Sequence, residues 1–447
     1  MGTGQPSYFS LDTTSPDQGT ETTSMAHTGA AFGLPPRVRL IRIIFALRSP
    51  LPSPDGLVVP ERISDEPGPG AEDGDLVHLV FHEVWTAQGT LSTATSASEE
   101  VISKLGLGPS TAAPGDQDQK SEARFRHTVV DATTAETFTG DARNARPSED
   151  SLMRVVEAVA QVARAFRLAG ASVEIPTYES LPPMLVTWWT NAEGTRERFT
   201  VDDRAEWTPS IMLLETVTAS PTFVDQSLAP AADDDTVQQA RQWMYAIRTN
   251  EPLTRSVEWL KRADHALNVT GSYPDAVLHA STAGEVLIDG LLSALMWEEH
   301  FLDPAKPTAE DSASVFIEGQ GKKRATKDLR SRLGGNWDAD TSAWQRWNLQ
   351  TAVVRNRVVH AGYAPPRAEA ELAVVAAYAL QTWLCDLLCA KRTTYRRVTI
   401  MMLGAAGLNK RGAWNGQIKQ FAEQEADSEV HWRTDFATWH TALVASI

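Results

Sequence analysis

The chain has 447 residues, too many for one ordinary hydrophobic core, so two or three domains are expected. Hydrophobic residues make up 42% and charged residues 22%, a composition typical of soluble globular proteins. The formal net charge is −16, but residues 1–235 hold 17 Lys and Arg against 34 Asp and Glu, whereas residues 236–447 hold 24 against 23. The acidic first half argues against a general nucleic-acid-binding protein and leaves room for a local basic site only in the second half.

Three features of the sequence bear on the protein's location. The polar first thirty residues lack a basic start and an apolar stretch, so we expect a disordered leader over residues 1–35 and no secretory signal. No apolar run approaches the roughly 20 residues that span a bilayer, which predicts no membrane association. Cys385 and Cys389 are the only cysteines and lie four apart on one face of a predicted helix, so we expect buried packing and no disulfide. These features together predict a cytoplasmic protein.

Residues 36–230 predict a mixed α/β domain. Segments rich in β-branched and aromatic residues indicate strands at Arg37–Leu47, Leu76–Trp85 and Phe125–Thr134. The first two are separated by a predicted loop rich in Pro, Gly and acidic residues. The amphipathic segment Ser151–Gly170 predicts a helix that Ser151 caps and Gly170 ends. Met184–Val201 predicts a hairpin with its turn at Asn191–Gly194.

After an acidic linker, Ala231–Thr236, the sequence becomes mostly helical. Periodic apolar residues predict helices at Pro252–Leu267, Tyr273–Glu299, Thr341–Gly362 and Arg367–Lys391. Thr341 or Ser342 offers an N-cap for the third of these helices, and Gly362 offers its stop. Short connections predict a helical bundle over residues 236–392, followed by a C-terminal extension, residues 393–447. The expected fold class is therefore α+β.

The segment RNRVVHAGY, Arg355–Tyr363, places polar residues late in one predicted helix. Arg355 and His360 lie about 140° apart around the helix axis, so they cannot both face one core stripe. In one interpretation the protein is structural and this segment is only a helix end. The helix dipole then favours a positive charge on His360 in the last turn, and the Arg355 side chain extends outward. The other is chemical, because a histidine that moves a proton and an arginine that holds a phosphate suit metal-free RNA cleavage. Asn356 could orient the histidine or the phosphate, and two helices meeting across a two-fold axis would form a composite site.

Arg355 and Asn356, followed by His360, resemble the R-x4–6-H signature of the HEPN superfamily (higher eukaryotes and prokaryotes nucleotide-binding), in which Asn, Asp or His often follows the arginine. The predicted bundle around the motif agrees, and Glu285 in an earlier apolar helix is similar to the family's acidic position. The resemblance implies a metal-independent endoribonuclease that acts as a homodimer on RNA without a cofactor. Arg355 and His360 would be catalytic, Asn356 supporting and Glu285 a possible supporting acid.

The resemblance also implies a biological setting and an alternative. Many members act in bacterial defence or toxin–antitoxin systems, with a separate antitoxin or regulatory protein as a possible partner. The first half of the chain, to which the resemblance does not extend, would then be a sensor or regulatory domain. Other members of the superfamily only bind RNA or nucleotides, so a non-catalytic module for dimerisation and RNA or nucleotide binding is the alternative.

Other residues carry two interpretations each. The basic positions before the motif either follow an RNA backbone or form a solvated face, and the RNA-binding candidates are Lys322, Lys323, Arg324, Lys327 and Arg357. Trp344 and Trp347 either stack bases or, as we expect, pack in the core. His78 and His82 share one side of a predicted strand. Two histidines are at most half a metal site, and no cysteine or third histidine is near, so we expect a partly exposed strand face there.

Overall fold

The computed structural model describes residues 37–63, 75–86, 91–105, 107, 125–138, 148–171, 173–182, 184–194, 199–200, 206–214, 232–248, 251–318, 321–426 and 428–447. The predicted leader, residues 1–35, lies outside the described residues. The described residues form an antiparallel β-sheet with helices on both faces, followed by a large helical assembly. The predicted α+β fold class is therefore confirmed.

The sheet is built from β1 Arg37–Ala46, β2 Leu57–Ile63, β3 Asp75–Thr86, β4 Phe125–Phe138, β5 Met184–Gly194, β6 Phe199–Thr200 and β7 Thr208–Leu213. Its order is β2-β3-β4-β1-β5, and both β6 and β7 pair with β5. Strand β1 is apolar on both sides because both sides are covered. Ile43 packs towards helix α2, Glu149–Leu168, whereas Ile44 packs towards helix α1, Leu91–Lys104. The three predicted strands are confirmed as β1, β3 and β4.

Part of the predicted loop between the first two strands is itself a strand. In β2, Leu57 lies opposite Phe81 and Val59 lies opposite Leu79 of β3. Pro60 is tolerated because β2 is the edge strand of the sheet, where a missing N–H donor leaves no neighbour unpaired. The loop prediction was wrong here because pairing with β3 outweighs the local turn-forming composition.

The predicted hairpin is present, but its turn was misplaced at Asn191–Gly194. Asn191 pairs with Arg39 of β1, and β5 continues to Gly194. Gly194 then pairs with Phe199, the first residue of β6. The chain therefore reverses after Gly194, because pairing with β1 holds Asn191 and Ala192 in the strand and pairing with β6 holds Glu193 and Gly194.

Helix α2 covers one face of the sheet. Its N-cap is Ser148, whose Oγ accepts the backbone N–H of Ser151 at 3.2 Å, so the predicted cap at Ser151 was wrong. Ser148 fits the role because its extended backbone lets its hydroxyl reach the unsatisfied amides of the first turn. The helix stops before Gly170, which has φ 101°. Val155, Val159 and other buried residues of α2 share a core with the sheet.

The acidic segment Ala231–Thr236 leads into helix α3, Asp234–Arg248. The Asp233 carboxylate accepts the Thr236 N–H at 2.8 Å, and acidic residues are favourable at a helix N-terminus. Val237, Ala240 and Met244 of α3 are buried in the core that α2 shares with the sheet. The first helix after the predicted domain boundary thus packs on the N-terminal core.

The remaining helices are α4 Pro252–His265, α5 Tyr273–Leu302, α6 Ala309–Glu318, α7 Gly321–Lys323, α8 Arg330–Leu333, α9 Ala343–Trp347, α10 Val353–Ala361, α11 Arg367–Ala390, α12 Arg396–Lys410, α13 Gly416–Gln424 and α14 Glu429–Ala445. Helix α5 lies at the centre and packs against α4, α6, α10, α11, α12 and α14. Its C-terminal half is apolar nearly all round, as expected for a helix enclosed by others. π-helical turns at Arg324–Leu329 and Asn348–Ala352 join α7 to α8 and α9 to α10.

The predicted C-terminal extension forms α12 to α14 and completes the bundle core. The buried carboxylate of Glu298 on α5 accepts the backbone N–H groups of Arg397 and Val398, at 2.9 and 3.0 Å, where α12 begins. Burial raises the pKa of this carboxyl, although the two amides partly oppose the shift. Trp297 donates its indole N–H to Asp435 of α14 at 2.8 Å. Two neighbouring residues of α5 therefore hold the last part of the chain.

Helix α11 is the single helix, among the described residues, that is long and apolar enough by composition to cross a membrane. Half of its most apolar window is buried, and the helix packs against α5 and α9, as a core helix does. Cys385 and Cys389 lie on α11, both buried and free, which confirms the prediction of packing without a disulfide. Burial raises the pKa of the Cys385 thiol to about 11, which keeps it protonated near neutral pH.

Candidate functional site

Helix α9, the π-helical turn Asn348–Ala352 and α10 form one continuous helix, here called the motif helix. The Ser342 hydroxyl accepts the Gln345 N–H at 3.1 Å and caps its start. At its end, Gly362 adopts a left-handed backbone with φ 62°, and the Tyr363 N–H bonds to the Arg357 carbonyl at 3.2 Å. The predicted cap and stop are both confirmed.

A cleft of about 280 Å³ opens between the motif helix and α5. Its charged and polar lining comes from three separate segments, as Glu285, Asp289, Lys322, Arg324, Asn348, Arg355 and Asn356. Five of these seven residues were candidates from the sequence, and the fold brings them to one place although up to 71 positions separate them. Asp289 was missed, although its position one helical turn after Glu285 places both carboxylates on one face of an otherwise apolar helix.

Arg355, like Lys322, is a cation of the cleft that has no ion pair with any described residue. Its Nη1 donates to the Asn356 side-chain oxygen at 3.1 Å, so the asparagine steadies the guanidinium. Glu285, also in the cleft, accepts the Ser281 hydroxyl at 3.1 Å. Arg355 is partly buried and Glu285 is exposed, which leaves a guanidinium and a carboxylate accessible in the same cleft.

Arg324 and Asp289 form a bidentate ion pair at the cleft wall. Arg324 Nε and Nη2 lie 2.7 and 2.9 Å from the two carboxylate oxygens, and Nη1 donates to the Phe316 carbonyl at 3.3 Å. Burial raises the pKa of the Asp289 carboxyl, and the Arg324 guanidinium opposes that shift only in part. Arg324, a candidate RNA contact, is thus already committed within the chain to holding α7 against α5.

The other basic candidates divide into two groups. Lys322, Lys323 and Lys327 are exposed and have no ion pair within the described residues, and Lys322 lines the cleft. Arg357, by contrast, pairs with Glu369 and lies 4.2 Å from the centre of the Tyr363 ring. The three lysines are therefore available to an anionic ligand, whereas Arg357 mainly secures the end of the motif helix.

His360 is exposed on the last turn of the motif helix and does not line the cleft. It follows Arg355 by about 7.5 Å along the axis and about 140° around it. The outward surface of this helix also carries Leu349, Val353 and Val359, which are exposed by 61%, 44% and 49%. One chain therefore does not place Arg355 and His360 in the same cleft.

Trp344 and Trp347 form the apolar floor of the cleft and are 2% and 3% exposed. Their rings lie 5.3 Å apart, and Trp344 also packs against Trp337 at 5.9 Å. Trp347 rests directly on Gly284 of α5, where a Cβ atom would come within 2.6 Å of the indole ring. The expectation that both tryptophans pack in the core is confirmed.

His78 and His82 lie on one side of β3, and neither residue lines the cleft. His82 Nε2 is 3.9 Å from an Asp131 carboxylate oxygen, and Arg42 already holds that carboxylate through two hydrogen bonds. Across the described ranges, no group of three His, Cys, Asp or Glu side chains is arranged to hold a metal ion.

Comparisons with known proteins returned no relatives. No protein-family model, no curated protein sequence and no solved structure matches this chain.

Proposed function

We propose that this protein is a metal-independent endoribonuclease that cleaves RNA at a composite site between two copies of the chain. The cleft with Arg355 carries the proposal, because its guanidinium is unpaired within the described chain, steadied by Asn356 and next to the accessible Lys322. An open cleft that holds two accessible cations above an apolar floor suits a phosphate and its attached nucleoside. No cofactor is part of the proposal.

The proposed reaction is an internal transesterification. The 2′-oxygen of a ribose forms a bond to the adjacent phosphorus while the bond from phosphorus to the 5′-oxygen breaks. A histidine side chain removes the 2′-hydroxyl proton or supplies a proton to the leaving 5′-oxygen. The Arg355 guanidinium stabilises the charge that develops on the non-bridging oxygens. His360 performs the proton transfer in this scheme.

A second copy of the chain solves the geometric difficulty that His360 faces away from the cleft. The exposed apolar residues on the outward surface of the motif helix, with Leu372 and Val375 on α11, supply surface for a symmetric contact. In such a dimer, the His360 of one copy would face the Arg355 of the other. The settings suggested by the resemblance to HEPN proteins, a bacterial defence or toxin-like stress response in the cytoplasm, remain part of the proposal.

The test is RNA cleavage in the presence of EDTA. Arg355→Ala and His360→Ala should each reduce cleavage by about 100-fold or more, as expected for loss of charge stabilisation or proton transfer. Arg241→Ala and His431→Ala are matched controls, because both residues are exposed and lie outside the cleft and away from the motif helix. Full activity of the Arg355→Ala or His360→Ala variant, or a strict need for added metal, would refute the assignment.

Mixed dimers test whether the site is shared. When Arg355→Ala and His360→Ala subunits are mixed after dissociation, half the dimers contain both, and each of these regains one intact site if the two residues act across the interface. Activity should then return to about one quarter of the wild-type value. Mixtures that stay inactive, despite exchange of subunits, would place both residues within one chain.

The second candidate function is a non-catalytic module that dimerises and binds RNA or nucleotide. The outward position of His360 favours it, because one chain does not bring the histidine to the cleft. In that case, wild-type protein binds RNA without cleaving any sequence, and Arg355→Ala weakens binding whereas His360→Ala does not.

A further inference from the structure

A second cavity lies on the other side of Glu285 and Asp289. It has a volume of about 350 Å³, opens to solvent and is lined by residues of α4, α5, α6 and α14. Glu285 and Asp289 line both this cavity and the cleft, so the two hollows adjoin along one face of α5. A space of this size falls in the range of cavities that hold small molecules.

One part of the lining of the second cavity is apolar. It includes Val286 on α5, Phe316 on α6, and Leu443 and Val444 on α14. His440 also lines the cavity, and burial together with the Arg255 charge lowers its pKa to about 4, so the imidazole is neutral at pH 7. This part of the lining therefore favours an apolar body.

Two opposite charges remain at this cavity. The carboxylate of Asp289 is already held by Arg324. Arg255 and Glu285 are both exposed, and neither forms an ion pair with another described residue.

The packing of α4 on α5 places these two charges near each other. Pro252 lies against Gly290, and the Ser256 hydroxyl donates to the Ala283 carbonyl at 2.9 Å, so the helices run antiparallel. Arg255 is therefore level with the turn of α5 that carries Glu285, yet the two do not pair with each other. A ligand with both an anionic and a cationic group could engage them together.

We infer that the second cavity binds a small zwitterion with an apolar body, of the kind represented by apolar α-amino acids. The carboxylate of the ligand pairs with the Arg255 guanidinium, its ammonium group pairs with the Glu285 carboxylate, and its side chain packs against Val286, Phe316 and Leu443. The inference rests on the cavity and its charges and does not require RNA cleavage, so either proposal can fail without the other.

Isothermal titration of the full-length wild-type chain with L-leucine, L-phenylalanine and L-tryptophan tests the inference. At least one of them should bind saturably with one ligand per chain. Arg255→Gln and Glu285→Gln should each weaken that binding about tenfold or more, since each removes a charge-assisted contact. Val444→Trp, at a rim position that is 54% exposed, should abolish it by filling the cavity. Arg241→Gln and Glu99→Gln, which alter exposed charges outside the cavity, are the matched controls.

Ligands that lack either the carboxylate or the ammonium group test which of the two groups contacts Arg255 and which contacts Glu285. L-Phenylalaninamide, without the carboxylate, should bind Arg255→Gln no more weakly than the wild type. 3-Phenylpropanoate, without the ammonium, should bind Glu285→Gln no more weakly than the wild type. Circular dichroism spectra matching the wild type would show that the variants are folded. Absence of saturable binding by all three amino acids, binding that persists in Val444→Trp, or binding of guanosine monophosphate in their place would overturn the inference.

Discussion

Replacement of Gly284 by alanine should destabilise the bundle, although a glycine in a helix usually gains from this change. A helical Gly→Ala substitution ordinarily adds about 1 kcal/mol of stability. At Gly284, however, the new Cβ would lie 2.6 Å from Cζ2 of Trp347 and closer still to Cε2 and Nε1. Protein Cβ atoms do not approach other atoms so closely, so the indole or the helix must move.

The magnitude follows from how little room the indole has to move. Trp347 is 3% exposed and packs against Trp344, which in turn packs against Trp337, so a shift would disturb a chain of buried rings. Overpacking a close-packed core costs about 1–3 kcal/mol, and the approach of three ring atoms to within 2.6 Å places this substitution in the upper part of that range, at about 2–3 kcal/mol. Subtracting the gain of about 1 kcal/mol in helix propensity leaves an expected net loss of about 1–2 kcal/mol in the free energy of unfolding.

A urea titration followed by circular dichroism measures this change. Gly290→Ala is the matched control on the same helix, because its Cβ would meet Pro252 at 3.2 Å and should change stability by less than about 1 kcal/mol. In a Trp347→Leu background, the cost of Gly284→Ala should shrink, since the residues that collide are coupled. A Gly284→Ala variant as stable as the wild type, or an equal cost in both backgrounds, would refute the steric explanation.

Three further predictions concern charges. Arg324→Ala leaves the Asp289 carboxyl without its partner and should cost about 1–3 kcal/mol in urea titrations, whereas Lys322→Ala should change stability by less than about 0.5 kcal/mol; equal effects would contradict the assigned roles. Burial lowers the pKa of His440 to about 4 from 6.5, so its contribution to stability is complete above pH 6.5 and is lost as the pH falls towards 4. His440→Gln should flatten that dependence by up to about 3 kcal/mol, and parallel stability curves would show that the histidine does not contribute. Replacing the exposed Lys322, Lys323 and Lys327 together by alanine should lower the slope of log K against log salt concentration for RNA binding by about two. An unchanged slope would show that these lysines do not contact the RNA.

The sequence predicted correctly those helix ends that depend on interactions between residues a few positions apart. The motif helix begins at Ser342 and stops at Gly362, because a side-chain cap and a left-handed glycine require only neighbouring backbone. The predicted turn at Asn191–Gly194 was wrong because β1, about 150 residues earlier in the chain, pairs with Asn191 and Ala192 and so extends β5 into the expected turn. Strand β2 was missed for the same reason, since it forms only against β3.

The candidate site was predictable in its residues and not in its geometry. The spacing of Arg355 and His360 showed that the two residues diverge around the helix, and the structure places Arg355 and Asn356 in the cleft and His360 outside it. Arg324 was indistinguishable from its lysine neighbours in the sequence, because its partner, Asp289, lies 35 residues earlier. The second cavity could not be foreseen, since its walls come from four helices whose contacts no local pattern specifies.

The attachment of α12 and α14 to α5 has a consequence for the order in which the protein can acquire its structure during synthesis. Trp297 and Glu298 are translated more than 90 residues before the groups that satisfy them, at Arg397, Val398 and Asp435. Until those segments leave the ribosome, the Glu298 carboxylate and the Trp297 indole N–H on α5 lack the hydrogen-bond partners that they have in the folded protein. Any fragment that stops after α11 would remain in that unfinished state. The cleft formed by α5 and the motif helix should therefore gain its final rigidity only after translation has passed α14.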